Sequence, residues 1–272
     1  QAIKKELANI YEWFRVNKLS INFNKSSFLV FDRTADLGTI DVKTDYLNFT
    51  ITETKSHKYL GLIIDSQLKF TDHVDYIKAK VAKRIGALYR SKKLLPLKYR
   101  KMFINALMLP QFDYLDIIWC KTSKTNLKSL DILYKKVAKI ALDMDTREAS
   151  IKVYCTMKWL PLHLRRQLHL STYMYKILNN ITPTTFLNKF VYVTGTSRNA
   201  GKCNLFIPTS RSHKTLSYLG AKCWNAVPEA TRNIDSLHKF SQILKRDLLN
   251  AISNDENYMV ENCFDQFYQL PD

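Results

Sequence analysis

The sequence has few cysteines, and their arrangement defines no familiar class. The five are odd in number and widely spaced: Cys120, Cys155, Cys203, Cys223 and Cys263. This pattern argues against a disulfide framework and against a structural zinc site, which usually contains a closely spaced cysteine pair. Reduced, partly buried thiols are therefore expected, and they favour a cytoplasmic or nuclear location.

The sequence also lacks any apolar run of the roughly 18 residues that a membrane span requires. It does not begin with Met, and the amphipathic, charged segment that follows Gln1 predicts no signal peptide. A start inside a longer protein is expected. Of the 272 residues, 46% are hydrophobic and 12% aromatic, which excludes disorder, collagen and a simple coiled coil. The length suits one large domain or two small ones.

Acidic residues are scarce, with 24 Asp and Glu against 42 Lys and Arg and a formal net charge of +18. Between Asp75 and Asp113 there is no acidic residue at all. The gap contains ten cations: Lys78, Lys80, Lys83, Arg84, Arg90, Lys92, Lys93, Lys98, Arg100 and Lys101. Tyr76, Tyr89 and Tyr99 lie among them.

Such a segment attracts a phosphate backbone, and its rings can stack on bases or sugars, so it favours a nucleic-acid partner. The alternative is a solvated helix face whose acidic partners lie elsewhere in the chain. An acidic membrane surface has less support, because the apolar residues here form a core stripe rather than a wide membrane-facing one.

The hydrophobic periodicity predicts an α+β chain. Residues 2–18 form a predicted helix, because Ile3, Leu7, Ile10 and Phe14 recur on one face. Short strands are predicted at 19–23, 28–31, 47–51 and 59–64, with a loop or hairpin tip at 32–45. Helices are predicted at 72–90, 97–109, 125–141, 162–179, 215–226 and 236–252. The expected fold is a small, incomplete β-sheet with one helix, followed by a mainly helical bundle and a helical extension.

A succession of short motifs runs along the chain. It comprises Trp13-Phe14, Asn17-Lys18-Leu19-Ser20-Ile21-Asn22, Lys25-Ser26, Lys58-Tyr59-Leu60-Gly61-Leu62-Ile63-Ile64-Asp65, Leu68, His73, Tyr114 and Trp119. Looser matches follow at Phe206-Ile207-Pro208, Gly220, Trp224-Asn225, Pro228 and Ser236-Leu237. This succession resembles reverse transcriptases of non-LTR (LINE-type, jockey-like) retrotransposons over nearly the whole chain.

The resemblance begins in the middle of that enzyme. In the family, a Tyr-x-Asp-Asp strand with metal-binding carboxylates lies just upstream, and this sequence contains no such motif. The resemblance implies the remainder of a polymerase palm at 1–68, a helical thumb-like domain at 69–185 and a C-terminal extension at 186–272. The chain is thus expected to be a fragment of an RNA-directed DNA polymerase that contributes template–primer binding and is inactive alone.

The resemblance further implies no catalytic residue and no cofactor bound by this chain, although the parent enzyme would use Mg²⁺. The implied partners are RNA–DNA hybrid or duplex nucleic acid and the missing N-terminal part of the polymerase, with no membrane. Asp143 and Asp145 are interpreted as a capping or surface feature rather than a metal site, and a zinc set of Cys203, His213 and Cys223 is set aside.

Individual nucleic-acid contacts also follow from the resemblance. Lys25 matches a turn lysine near the phosphates of the incoming nucleotide; an ordinary solvated turn lysine is the alternative. Gly61 matches a segment that holds the primer strand; a sheet glycine packed under a helix is the alternative. The complete predicted set is Lys25, Lys58, Tyr59, Leu60, Gly61, Lys80, Lys83, Arg84, Arg90, Lys92, Lys93, Lys98, Arg100 and Lys101.

Three rival interpretations stay open at this point. One is a domesticated nucleic-acid-binding module with no polymerase role. Another is a helical interaction protein whose charge serves solubility or an acidic protein partner. The third is a split enzyme whose catalytic carboxylates come from a separate chain.

Overall fold

The computed structural model describes residues 2–31, 38–145, 147, 150–193, 204–208 and 215–254. The chain divides into two compact units, residues 1–76 and 77–272. The first contains a helix and two small sheets, and the described part of the second is almost entirely helical. The predicted α+β class is confirmed, whereas the division at residues 68 and 185 stays a prediction. None of the described helices is both long and apolar enough to cross a membrane.

The first unit contains one helix and five short strands in its described part. They are α1 (Ala2–Val16), β1 (Ser27–Phe28), β2 (Thr39–Lys43), β3 (Asn48–Glu53), β4 (Ser56–Tyr59) and β5 (Leu62–Asp65), with a 3-10 turn at Phe23–Lys25. The larger sheet has the order β1-β3-β2, with β1 parallel and β2 antiparallel to β3. The other two strands form an antiparallel hairpin.

The larger sheet buries one face. Ile40 lies opposite Ile51 and Val42 opposite Phe49, so alternate side chains of β2 and β3 point to the same side. All four are buried, and α1 and the segment around β1 pack on them through Leu7, Ala8, Tyr11, Phe23 and Phe28. The loop predicted over 32–45 is therefore wrong for residues 39–43. The apolar–polar alternation of β2, Thr-Ile-Asp-Val-Lys, is only five residues long. Acidic residues in and around it make it resemble a loop in the sequence.

The segment 19–23, predicted as a strand, is irregular chain that leads from α1 to the 3-10 turn. Lys18 has a positive φ of 56°, and the N–H of Leu19 donates to the carbonyl of Phe14 at 2.8 Å. This left-handed residue closes the helix and redirects the chain into the 3-10 turn. The apolar–polar alternation of 19–23 accompanies this turn and not a strand.

The strand predicted at 59–64 is the turn and second strand of a hairpin. Tyr59 pairs with Leu62, and the two residues between them, Leu60 and Gly61, have positive φ values of 47° and 88°. A two-residue turn of this hand matches the twist of paired strands. Gly61 is therefore a turn glycine and not a glycine inside a strand.

The helices after β5 account for most of the remaining described chain. They are α2 (Thr71–Ser91), α3 (Leu97–Leu107), α4 (Leu109–Asp113), α5 (Asp116–Trp119), α6 (Lys124–Leu142), α7 (Ser150–Met157), α8 (Leu162–Leu178), α9 (Thr184–Leu187), α10 (Leu216–Asn225), α11 (Glu229–Arg232) and α12 (Leu237–Asn254). The six predicted helices correspond to α2, α3, α6, α8, α10 and α12. The short helices were missed because four to eight residues are too few to show a helical period.

Helix α8 lies at the centre of the second unit, where α5, α9, α10 and α12 contact it. The ring of Tyr175 lies 4.7 Å from that of Phe240, and its hydroxyl donates to the carbonyl of Ile234 at 2.8 Å. Trp224 stacks 6.0 Å from the same phenylalanine. Trp159 is likewise buried beside Tyr134 of α6. Both tryptophans are thus core anchors.

Candidate nucleic-acid interface

Helix α2 separates apolar from basic side chains. Its buried stripe is Val74, Ile77, Val81 and Leu88. Lys80, Lys83 and Arg90 fall within an arc of about 80° on the side away from that stripe, at 3.6 residues per turn. Lys83 and Arg90 are exposed, and Lys80 is half-buried. The apolar stripe of the helix therefore fixes the direction in which its cations point.

The basic surface continues through residues 92–96 into α3. Lys93 and Lys98 are exposed, whereas the ammonium group of Lys101 donates to the carbonyl of Thr156 at 3.4 Å. Exposed aromatic and apolar side chains lie in the same segment: Tyr89, Leu94, Tyr99 and Met102. A surface of this mixed composition can pair with phosphates through its cations and stack bases on its rings.

Two predicted arginines carry buried nitrogen atoms that have no hydrogen-bond partner within the described residues. These atoms are Nη1 of Arg84 and Nε of Arg100. A buried donor without an acceptor costs about 1–3 kcal/mol. Both atoms are shielded from solvent, so a phosphate at the surface reaches them only if these side chains rearrange.

Lys92 already has an acidic partner. Its Nζ lies 2.5 Å from Oδ1 of Asp143 and 4.9 Å from the ring centre of Tyr89. Lys92 is the main reason that the pKa of Asp143 is lowered, and Arg100 and Lys93 add to the effect. Asp143 is also the C-cap of α6, with a left-handed φ of 58°. This confirms the capping or surface interpretation of that acid.

The hairpin of the first unit carries four of the predicted residues. Tyr59 and Leu60 are 61% and 71% exposed at its tip, next to Gly61. The ammonium group of Lys58 donates to the hydroxyl of Tyr76 at 2.9 Å and lies 4.5 Å from the centre of that ring. The hairpin thus presents an aromatic and an apolar side chain while its lysine is anchored on α2.

Lys25 ends the 3-10 turn and is exposed. It lines a cavity of about 550 Å³ together with apolar residues of α1 and β3 and with His57 of β4. Oγ of Ser27 and Nδ1 of His57 lie 3.3 Å apart, so the segment that follows Lys25 is linked to the hairpin. Lys25 and residues 58–61 therefore belong to the first unit, whereas the predicted residues from Lys80 on belong to the second.

One cluster was not found from the sequence. Asp113, Asp116 and His169 offer atoms that all lie within 4.8 Å of one another, the one such group among the described residues that could hold a metal ion. Leu115 has a left-handed φ of 53° and turns the chain into α5, which places Asp116 opposite α8. Nδ1 of His169 and Oδ2 of Asp116 are 2.6 Å apart. No spacing rule joins residues separated by more than 50 positions.

The charges of this cluster already have partners. Arg165 donates from Nη2 to Oδ2 of Asp113 at 2.5 Å and from Nε to Oδ1, so it occupies both carboxylate oxygens. Burial raises the pKa of Asp116, and its hydrogen bond with His169 opposes that rise. Mg²⁺ prefers several oxygen ligands and retained waters, and here it would have to displace Arg165. The cluster fits a network of an ion pair and a hydrogen bond that joins α4 and α5 to α8, beside a largely apolar cavity of about 640 Å³.

The cysteines follow the expectation of reduced, partly buried thiols where the structure describes them. Cys120 and Cys223 are buried, Cys155 is exposed, and none of these three forms a disulfide. Burial raises the pKa of the Cys223 thiol to about 12, which makes it unreactive near neutral pH. The other two cysteines, Cys203 and Cys263, and the histidine of the zinc set, His213, lie outside the described residues.

Comparison with known proteins finds a modest similarity to a transposon polymerase. A Drosophila melanogaster protein described as a probable RNA-directed DNA polymerase from transposon X-element is 28% identical to this chain over 137 residues. The match includes 47% of this chain and 14% of that protein, so the chain spans a small part of the relative's length. No protein-family profile matches, and no solved structure matches. Over about half of its length the chain is thus similar to a transposon RNA-directed DNA polymerase.

Proposed function

We propose that this chain is a nucleic-acid-binding part of a retrotransposon RNA-directed DNA polymerase. The observation that carries the proposal is the segment 76–112, which has ten cations and no acid. Helix α2 presents part of this charge on the side away from its buried stripe. The similarity to a transposon polymerase supports nucleic acid as the polyanion that this surface binds.

The proposal extends to the place of each unit in the parent enzyme. Residues 1–68 are the remainder of a palm, residues 69–185 are a helical thumb, and residues 186–272 are an extension of a non-LTR, jockey-like reverse transcriptase. The motif succession from Trp13 to Trp119 supports this placement. The bound nucleic acid is then a template–primer duplex. Lys25 and the hairpin residues Lys58 to Gly61 of the first unit contact nucleic acid, and so do the basic helices of the second.

In this proposal the chain supplies no bond-making chemistry. Phosphoryl transfer by polymerases requires carboxylates that hold magnesium ions. Asp113 and Asp116 do not fit that role, because Arg165 and His169 already occupy them. We expect no primer extension by the chain alone in the presence of Mg²⁺ and deoxynucleotides. Extension that disappears in an Asp116→Asn variant would contradict this proposal and place a metal at the cluster.

The binding test uses a fluorescently labelled RNA–DNA hybrid and measures its anisotropy over a range of salt concentrations. The variant combines Lys80→Glu, Lys83→Glu and Arg90→Glu. The plot of log K against log salt has a negative slope, and each lost phosphate contact makes it less steep by about 0.9. We therefore expect the slope of the variant to be less steep by about 3. Its affinity should be at least about tenfold lower at low salt, for all nucleic-acid sequences alike.

A matched control separates this surface from net charge. Lys128, Lys136 and Lys239 are exposed cations of α6 and α12, and reversing them to Glu changes the net charge by the same amount. This control should keep the wild-type slope. Equal losses in both triple variants would show that net charge alone is responsible. An affinity that hardly changes with salt, or no binding to hybrid, duplex or single strand, would favour the rival of a helical interaction protein.

A further inference from the structure

Asp143 places a negative charge on the otherwise positive surface formed by the segment 76–112. It lies outside the acid-free segment in sequence, 51 residues after Lys92, and reaches that segment because α3 packs against α6. The side chain of Lys92 is only 18% exposed, whereas that of Asp143 is 63% exposed. The lysine is therefore held in place, and the acid lies on the solvent side of the contact.

The surroundings of the Asp143 carboxylate are those expected for a phosphate. Lys92 donates to it at 2.5 Å, and the charges of Arg100 and Lys93 act on it as well. Nε of Arg100 is buried and lacks a hydrogen-bond partner in the part of the chain that the structure describes. The charges of Arg100, on α3, and of Lys93, in the turn before it, thus act on the same anion that Lys92 contacts.

We infer that Lys92, Lys93 and Arg100 form a subsite for one phosphate of a nucleic-acid backbone, and that the carboxylate of Asp143 occupies this subsite in the free chain. The inference rests on the proposed function. A carboxylate and a phosphate both offer charged oxygens to an ammonium group at the same distance. Because the acid is solvent-exposed, it can leave Lys92 when a phosphate arrives, and its negative charge then opposes the phosphate. Asp143 thus limits how tightly this surface binds.

The test is Asp143→Asn. Asn tolerates the left-handed backbone of this C-cap, and the capping hydrogen bonds come from the backbone N–H of residue 143. In the same anisotropy assay we expect binding of the hybrid to become about three- to tenfold tighter at low salt, with a smaller gain at high salt because the repulsion is screened. The decrease of log K with log salt should become steeper by about 1, since Lys92 gains a phosphate contact.

Two further variants show where the gain comes from. Asp247→Asn removes another exposed acid of the second unit, one that pairs with its neighbour Arg246, and it should change binding by less than about twofold. Lys92→Met should weaken binding and should abolish the gain from Asp143→Asn when the two are combined.

The outcomes separate this inference from the function on which it rests. Binding by the wild-type chain that Asp143→Asn leaves unchanged, or strengthens no more than Asp247→Asn does, would overturn the phosphate subsite alone. A gain that persists in the Lys92→Met background would also overturn it. Failure of the wild-type chain and of Asp143→Asn to bind any nucleic acid would overturn both the subsite and the proposed function.

Discussion

Asp65 shapes the loop between β5 and α2. Its Oδ1 accepts from the backbone N–H groups of Gln67 at 3.1 Å and Lys69 at 3.0 Å, and its Oδ2 accepts from that of Phe70 at 2.6 Å. Leu68 and Phe70 have positive φ values of 54° and 56°, a conformation that is unfavourable for residues other than glycine. The carboxylate therefore offsets the strain of the loop that leads into the basic helix.

Replacing this carboxylate tests that role. Asp65→Ala should lower the free energy of unfolding by about 2 kcal/mol, because three hydrogen bonds to a charged group are lost. Asp65→Asn should lower it less, since one oxygen acceptor remains. Urea denaturation followed by circular dichroism measures the change. Asp45→Ala, at an exposed position, serves as the control and should lower the free energy of unfolding by less than about 0.5 kcal/mol. An equally small effect at Asp65 would show that the loop conformation does not depend on this carboxylate.

His163 of α8 makes the stability of the second unit depend on pH. Burial, together with the positive charges of Arg166 and Lys135, lowers the pKa of His163 to about 4. The unfolded chain has the ordinary value near 6.5. Between these values the unfolded state binds a proton that the folded state does not, so stability falls as the pH falls from about 6.5 towards 4.

We expect the free energy of unfolding to fall by about 2 kcal/mol between pH 7 and pH 5 on account of this residue. His163→Gln should remove that part of the pH dependence, whatever its effect on stability at pH 7. Denaturant titrations of both proteins at the two pH values give the comparison. Burial raises the pKa of Asp116, which acts in the opposite sense. Equal losses in the wild type and the variant would contradict the assignment to His163.

At the scale of an element, the β4–β5 hairpin depends on two left-handed residues. Gly61→Ala should destabilise it by about 1 kcal/mol, because an L-residue with a Cβ is strained at φ 88°. Leu60→Asn should stabilise the hairpin instead, since Asn suits the first position of such a turn. Amide hydrogen exchange of the paired residues 56–65 reports on the hairpin directly. A loss of protection in both variants would contradict the turn assignment.

Elements differ in how well the sequence predicted them. Long helices such as α2 and α8 were found because their period repeats several times. The apolar face assigned to α1 was only partly right, because Ile3 and Ile10 are exposed and the sheet packs on the side of Leu7 and Tyr11 instead. Strands β1 and β2 have two and five residues, and at that length a strand cannot be told from a turn without knowledge of its partner.

At the scale of the whole molecule, what the sequence could not reveal is pairing between distant positions. The excess of cations in 76–112 was visible, but the acid that faces it, Asp143, belongs to another helix. The same applies to Asp116 and His169, which meet only because α5 packs on α8. Charge composition predicts the class of partner, whereas the detailed electrostatics of the surface depend on helix packing.

The net charge of +18 gives salt two opposite effects on this protein. Repulsion among like charges destabilises the compact state and is screened by salt, so raising NaCl from about 50 to 300 mM should raise the melting temperature by about 2–4 °C, equivalent to about 1 kcal/mol. The same change should weaken binding to nucleic acid steeply, because condensed counterions are released on binding.

The Lys80, Lys83 and Arg90 reversal variant tests whether both effects share one origin. Its net charge is lower by six, so the chain repels itself less and its melting temperature should rise less with salt than that of the wild type. The Lys128, Lys136 and Lys239 variant has the same net charge and should show the same smaller rise, yet keep the wild-type salt dependence of binding. Folding therefore responds to the total charge and binding to its location. A wild-type melting temperature that falls with added NaCl would show instead that surface ion pairs outweigh the repulsion.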